Sequence, residues 1–211
     1  MVQVRDRRSR QKKPAQGSDT AVTTAPMNRE KILATALTLF VERGFSGTPT
    51  ALISKEAGVS TGTLFFYFKT KEELIDTLYT CIKQEAAEAL SPGSRKDKTI
   101  AGKIRHYMAN AVAWGLQNPK KITFMEQFAN SPFVSKGAHE EGTSHFLFME
   151  DLVHDGIREG SIRPIDVNLL FYIMGSSIGA IIELASKEQD PGRRQKVVDD
   201  GLDLIMGGMR A

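Results

Sequence analysis

The chain has 211 residues, 41% hydrophobic and 25% charged, so it can bury a sizeable core and lies outside the compositions of disordered or fibrous proteins. Its single cysteine, Cys81, excludes an internal disulfide and fits a reducing compartment. The net charge is only +3, yet residues 1–26 carry six Lys and Arg against two Asp, which leaves the rest of the chain close to neutral.

Residues 1–26 show no apolar period. With Pro14, Gly17, Ser18 and Pro26 they read as a disordered basic leader, either a solvated tail or an arm for a polyanion. The basic start runs into no apolar stretch, so no secretory signal is expected and the expected location is cytoplasmic. From Asn28 onward Ile32, Leu33, Ala36, Leu37 and Phe40 recur at helical spacing, and Gly44 stops the helix. Thr48 and Pro49 read as the N-cap and first turn of a second helix that buries Leu52 or Ile53 and Ala57 and ends at Gly58. Ser60 caps a third short helix through Phe68, and a fourth runs from Lys71 to about Leu90. Ser91-Pro92-Gly93-Ser94 breaks the chain and reads as a domain boundary. Further helical segments follow at 97–117, 120–129, 140–158, 166–187 and 192–208. No stretch alternates with period two, so the expected fold class is all-α. The uncharged run from Val167 to Ile182 falls short of the roughly 20 apolar residues of a membrane span, and it is expected as a buried helix with no membrane partner.

The segment 48–71, TPTALISKEAGVSTGTLFFYFKTK, carries the functional signal. Two short helices joined by Gly58-Val59-Ser60 have the form of a helix-turn-helix. At about 100° per residue, Leu64 and Phe68 share the face that packs inward. Phe65 then projects sideways and Phe66 almost opposite the core, with Gly62 and Thr63 on the same outer half. Adjacent aromatics on an exposed face are unfavourable unless a partner covers them. In a DNA-reading helix such rings meet thymine methyls and sugar edges, and threonines bond to bases or phosphates. Gly62 admits a phosphate to a helix N-terminus, while Tyr67 and Lys71 suit flanking phosphates. Packing of Phe65 or Phe66 under the C-terminal half is the alternative.

With these residues in place, 29–75 resembles the N-terminal domain of TetR-family (tetracycline-repressor-like) regulators. The resemblance lies in Ile32, Ala36, Phe40, Gly44-Phe45, Thr48, Ile53, Ala57-Gly58-Val59-Ser60, Gly62-Thr63-Leu64, Tyr67-Phe68 and Lys71-Glu72-Glu73-Leu74. It implies a helix-turn-helix DNA-binding domain at 27–74 and a helical ligand-binding and dimerisation domain at 75–211. It further implies a ligand-responsive transcriptional regulator, most often a repressor, which binds a palindromic operator as a homodimer and is released by a small hydrophobic molecule. Its DNA-contacting positions map onto Thr48 or Thr50, Thr61, Gly62, Thr63, Phe65, Phe66, Tyr67 and Lys71. Two departures stand out: Phe65 replaces the family's usual tyrosine, and Ala51 offers no polar group where some members read a base.

Past residue 90 the resemblance is one of architecture. Gly175, Ser176 and Gly179 put small residues on one stripe of an apolar helix, and with Val198, Leu202 and Ile205 they form a candidate two-fold four-helix interface. Tyr107, Met108, Trp114, Phe124, Phe128, Phe146, Met149 and Tyr172 are candidate pocket residues, although they would equally make an ordinary core.

The competing class is an enzyme. His139-Glu140-Glu141 begins like a zinc-protease motif, but position 143 is threonine and His145 lies off the required spacing. Cys81 has no histidine beside it in sequence, and Gly102-Lys103 lacks the upstream glycine of a phosphate loop. No catalysis, metal or cofactor is expected. The expected partners are double-stranded DNA, a small-molecule effector and a second copy of the chain. A non-specific DNA or membrane-surface binder working through the basic leader is the third class.

Overall fold

The computed structural model describes residues 20–93 and 97–211, with side chains from residue 27 onward. Among them the chain forms helices only, apart from one isolated antiparallel bridge between Ile162 and Arg210. The expected all-α class holds.

Helix α1 (Thr20–Arg43) begins inside the stretch expected to be an irregular leader, whose residues 1–19 lie outside the described residues. Once Ile32 and Ala36 are buried, α1 has a nucleus, and each added N-terminal residue extends it without a second nucleation cost. Gly44 then takes φ +68° and ends the helix, a left-handed backbone that a glycine adopts without strain.

Helix α2 (Thr50–Glu56) is short, and its N-cap is Pro49 rather than Thr48. The Thr48 hydroxyl reaches back instead, to the carbonyls of Leu39 (3.1 Å) and Gly44 (2.7 Å) at the end of α1. After the second left-handed glycine, Gly58 (φ +67°), Ser60 caps α3 (Thr61–Tyr67) by accepting from the Thr63 amide at 3.0 Å. Helix α4 (Lys71–Leu90) starts with a reciprocal cap. Thr70 Oγ1 accepts from the Glu73 amide at 3.0 Å, and the Glu73 carboxylate accepts from the Lys69 amide at 2.6 Å.

The remaining helices are α5 (Ile100–Gln117), α6 (Pro119–Phe128), α7 (Lys136–Ser144), α8 (Leu147–Arg158), α9 (Val167–Lys187) and α10 (Pro191–Met209). The helix expected over 140–158 is two helices, α7 and α8, because the backbone leaves helical geometry at Phe146 (φ −107°, ψ 4°). Ser135 caps α7 earlier than expected.

Two apolar cores result. One joins α1–α4 to α6 and α7, through Ile32, Phe40, Ile53, Leu64, Phe68, Leu74, Phe124 and Phe128. The other lies among α5, α8, α9 and α10, around Ile104, Met108, Val153, Met174, Ile182 and Leu202. Leu74 and Ile75 belong to the same core, so no seam falls at the 74/75 division, and α4 itself runs from the first core towards the second.

Candidate nucleic-acid interface and internal cavity

Leu64 and Phe68 turn into the core and fix the roll of α3, so its opposite side faces solvent. Phe66 is 71% exposed and Phe65 39%. Phe66 touches the Tyr67 ring edge-on, with centroids 5.1 Å apart, and Tyr67 is half-buried. Thr61 and Gly62 are exposed and Thr63 half-exposed at the N-terminus. Thr61 ties α3 to α2 through Ser54 at 3.2 Å, and Thr63 meets Ser60 at 2.8 Å. A Cβ added to Gly62 would meet only Ser60 Oγ, at 3.7 Å, so nothing inside the molecule demands glycine there.

Two of the expected DNA-facing positions, Thr48 and Lys71, behave differently from the rest. Thr48 is fully buried and its hydroxyl is taken by Leu39 and Gly44, so it holds the α1–α2 corner and cannot reach a partner; Thr50 is the half-exposed threonine of the pair. The Lys71 ammonium donates to the Phe45 carbonyl and lies 3.9 Å from the centre of that ring. Burial draws its pKa below the ordinary lysine value, against an upward pull from Glu72. The exposed basic group beside the rings is Lys69, which the sequence reading missed. Its ammonium caps α3 at the carbonyls of Phe65 (3.3 Å) and Phe66 (3.2 Å) and lies 5.7 Å from the Phe66 ring. A lysine just past a helix C-terminus was the signal for it.

A cavity of about 380 Å³ opens between α4, α5, α8 and α9. Tyr107, Met108, Trp114, Phe146 and Met149 line it. Phe124 and Phe128, read as pocket residues, stand elsewhere. Both face Phe40, at 6.5 and 5.9 Å between centroids, and form the aromatic seam between α6 and α1. Tyr172 is 75% exposed on the outer side of α9. Sequence reasoning could not separate these, since an aromatic at helical spacing suits a core, a cavity wall or a surface alike. It also missed Phe171, Met174 and Ile182 of the lining and the polar groups Lys83, Glu150 and Asn168.

The expected interface residues divide in the same way. Val198 and Leu202 are buried in the chain's own second core, so they are not available to a second copy, while Ile205 packs against that core and stays half-exposed. Ser176 is exposed and Gly179 half-exposed on α9, and Gly175 is exposed as well as lining the cavity. Close approach of α9 to α10 depends instead on Gly201, where a Cβ would lie 2.6 Å from Ile181. Helix α9 is buried on one side only. It is long and apolar enough to cross a membrane by composition, yet it packs on α5, α8 and α10, and its other side exposes Leu169, Tyr172, Ile173 and Leu184.

Among the described residues no three metal-ligating side chains converge. His106 bonds the Pro92 carbonyl at 2.7 Å and faces Asp97, His139 meets the Tyr79 hydroxyl at 3.2 Å, and His154 faces Glu150 at 3.8 Å.

Residues 32–78 match the family model described as bacterial regulatory proteins of the tetR family. The HTH-type transcriptional regulator YhgD of Bacillus subtilis is 26% identical over 174 residues, which span 78% of this chain and 88% of that protein. The HTH-type transcriptional repressor KstR2 of Mycolicibacterium smegmatis is 25% identical over 193 residues, 86% of this chain and 90% of that one. A crystallised chain from Shewanella sp. PV-4, assigned to the TetR family, superposes with a TM-score of 0.80 at 29% identity, covering 87% of this chain and 98% of its own. A helix-turn-helix with an outward α3, set on a helical body that follows these proteins along most of their length, makes the chain a TetR-family transcriptional regulator.

Proposed function

We propose that this regulator is a cytoplasmic repressor that binds an inverted-repeat operator as a homodimer, and that a small hydrophobic ligand in the cavity releases it. The observation that carries the DNA reading is the outer side of α3, where Phe66 and Phe65 stand in solvent beside an open helix N-terminus and the Lys69 ammonium. Water is a poor environment for two adjacent rings, and a duplex offers them methyl and sugar surface while its phosphates meet the free amides and the lysine. Thr50, Thr61, Gly62, Thr63, Phe65, Phe66, Tyr67 and Lys69 form the proposed contact surface. Lys71 joins them once its bond to Phe45 is released. The reading unit is 27–74, and 75–211 carries the cavity and the dimer contact.

The dimer reading rests on α9. Leu169, Tyr172, Ile173, Ser176, Ala180 and Leu184 recur at three- and four-residue steps on its uncovered side, and Leu204 of α10 is 80% exposed. Two copies related by a two-fold axis cover such a face and present two α3 helices to successive major grooves about 34 Å apart. The effector reading rests on the cavity, whose lining is mostly aromatic, aliphatic and methionine.

Selection of a randomised duplex library at two salt concentrations, with sedimentation velocity on the free protein, tests this. Enrichment of an inverted repeat by a species of twice the chain mass supports it. Retention without sequence preference, lost at the higher salt, assigns binding to a non-specific basic clamp. No retention at either salt overturns the DNA reading.

A further inference from the structure

Lys83 is the feature of the cavity that a purely apolar ligand leaves unexplained. It projects from α4 into the lining, and α7 presses on its stem: a Cβ at Gly142 would lie 3.0 Å from Lys83 Cγ. Its ammonium finds ring faces, with the centre of Phe146 at 5.2 Å and that of Tyr79 at 5.9 Å. Among the described residues no carboxylate oxygen lies within 4.0 Å of it. Other lysines are served differently: Lys121 is bonded to Glu85, Lys187 to Glu183 and Lys196 to Asp200. A half-buried cation held only by ring quadrupoles lacks a counter-charge, and the cavity is the space that remains to supply one. Desolvation draws its pKa below the ordinary lysine value, as a missing counter-ion requires. The other ionisable group of opposite sign in the lining, Glu150, is nearly half in solvent and faces His154, so its charge lies towards the outside.

We propose that the cavity takes an amphipathic anion, with an acidic head group on the Lys83 ammonium and an apolar body among Met108, Met149, Phe171 and Met174. This rests on the reading of the cavity as the effector site. A neutral ligand leaves the ammonium uncompensated, and a cationic one adds like charge to it. A volume of about 380 Å³ lies at the lower end of the range that small organic ligands occupy.

The chain contains one tryptophan, and Trp114 lines this same cavity, so its fluorescence reports occupancy directly. The full chain is titrated with dodecanoate, dodecyl phosphate, dodecanol and dodecylamine. One or both anions are expected to bind at least about tenfold tighter than the alcohol, which is ~1.4 kcal/mol, and the amine weakest. Comparison of the two anions distinguishes a carboxylate from a phosphate head. In Lys83→Met the alcohol still binds and the preference for the anion disappears, whereas Lys83→Arg retains it; circular dichroism melts check that both variants fold. Equal binding of anion and alcohol by the native chain, tightest binding of the amine, or a preference that survives in Lys83→Met overturns the proposal and leaves the cavity reading standing. If none of the four alters Trp114 emission or is retained on dialysis, the cavity reading falls and the proposal with it.

Discussion

Two apolar surfaces of this molecule stand in solvent, one on α3 and one on α9, and their neighbours set them apart. Around Phe65 and Phe66 are an N-terminus with exposed Thr61 and Gly62, and the Lys69 ammonium. Around Leu169, Tyr172, Ile173 and Leu184 are Ser176, Gly179 and Ala180, which add neither charge nor bulk, and the two charges near Leu184, Glu183 and Lys187, pair with each other. The first surface suits a polyanion with apolar edges; the second suits another apolar helix. Exposure of a ring is therefore only half of an interface signal, and the charge and size of its neighbours supply the other half.

The α3 surface rests on the core that the aromatic seam between α1 and α6 completes, so the largest expected effect comes from breaking that seam. Phe124→Ala leaves a void facing Phe40 and Phe128, and it should lower unfolding stability by about 3–5 kcal/mol in urea titrations. A change confined to ligand affinity, with stability intact, would return Phe124 to the cavity. Next is Leu184→Glu, exposed and without a structural burden in the monomer. A carboxylate placed in a two-fold apolar contact costs on the order of 3 kcal/mol or more, so sedimentation should show monomers at concentrations where the native chain is expected to form the proposed dimer. Unchanged mass would assign the α9 face to some other partner.

Thr48 and Thr50 separate structure from contact within one turn. Thr48→Val removes the hydroxyl that donates to the Leu39 and Gly44 carbonyls and should cost about 1–3 kcal/mol of stability, while Thr50→Val should stay within about 0.5 kcal/mol and weaken DNA binding instead. Phe66→Ala should leave the melting temperature in place and remove about 1–2 kcal/mol of operator binding per recognition helix, the transfer free energy of a ring mostly exposed in the free protein. Fluorescence anisotropy with a selected operator measures it, and full affinity in this variant would mean that α3 does not read DNA through its outer face.

The N-terminal unit was largely legible in the sequence because its turns are chemically constrained. A left-handed Gly58, a capping Ser60 and a Thr70 with Glu73 three residues on have few other uses. Lys71 and Thr48 escaped that logic, since their side chains are directed by a tertiary partner, Phe45 in one case and the end of α1 in the other. In the C-terminal half the helices were visible, but the roles of their apolar residues were not. Phe124, Phe146 and Tyr172 are alike as types, and only helix packing sends the first into the seam, the second to the cavity and the third into solvent. A Cβ at Gly175 or Gly179 meets nothing of this chain within 4 Å, so packing within the chain does not require glycine there, whereas Gly201 and Gly115, which no stripe singled out, are where α9 comes close to α10 and α5.

The smallest expected effect is the sharpest test of the α3 surface. Gly62 lies in the first turn of α3, and a Cβ there would stand 3.7 Å from Ser60 Oγ, an ordinary contact. Alanine also loses less backbone entropy than glycine on entering a helix. Gly62→Ala should therefore leave stability unchanged or raise it by up to about 1 kcal/mol. If a phosphate approaches the free amides of this turn, the added methyl stands in its way, and operator affinity falls while stability holds or rises. Because the two quantities then move in opposite directions, no general loosening of the fold can imitate the result. Affinity that rises with stability would place the DNA backbone away from this turn, leaving Phe65, Phe66 and Lys69 to carry the contact without it.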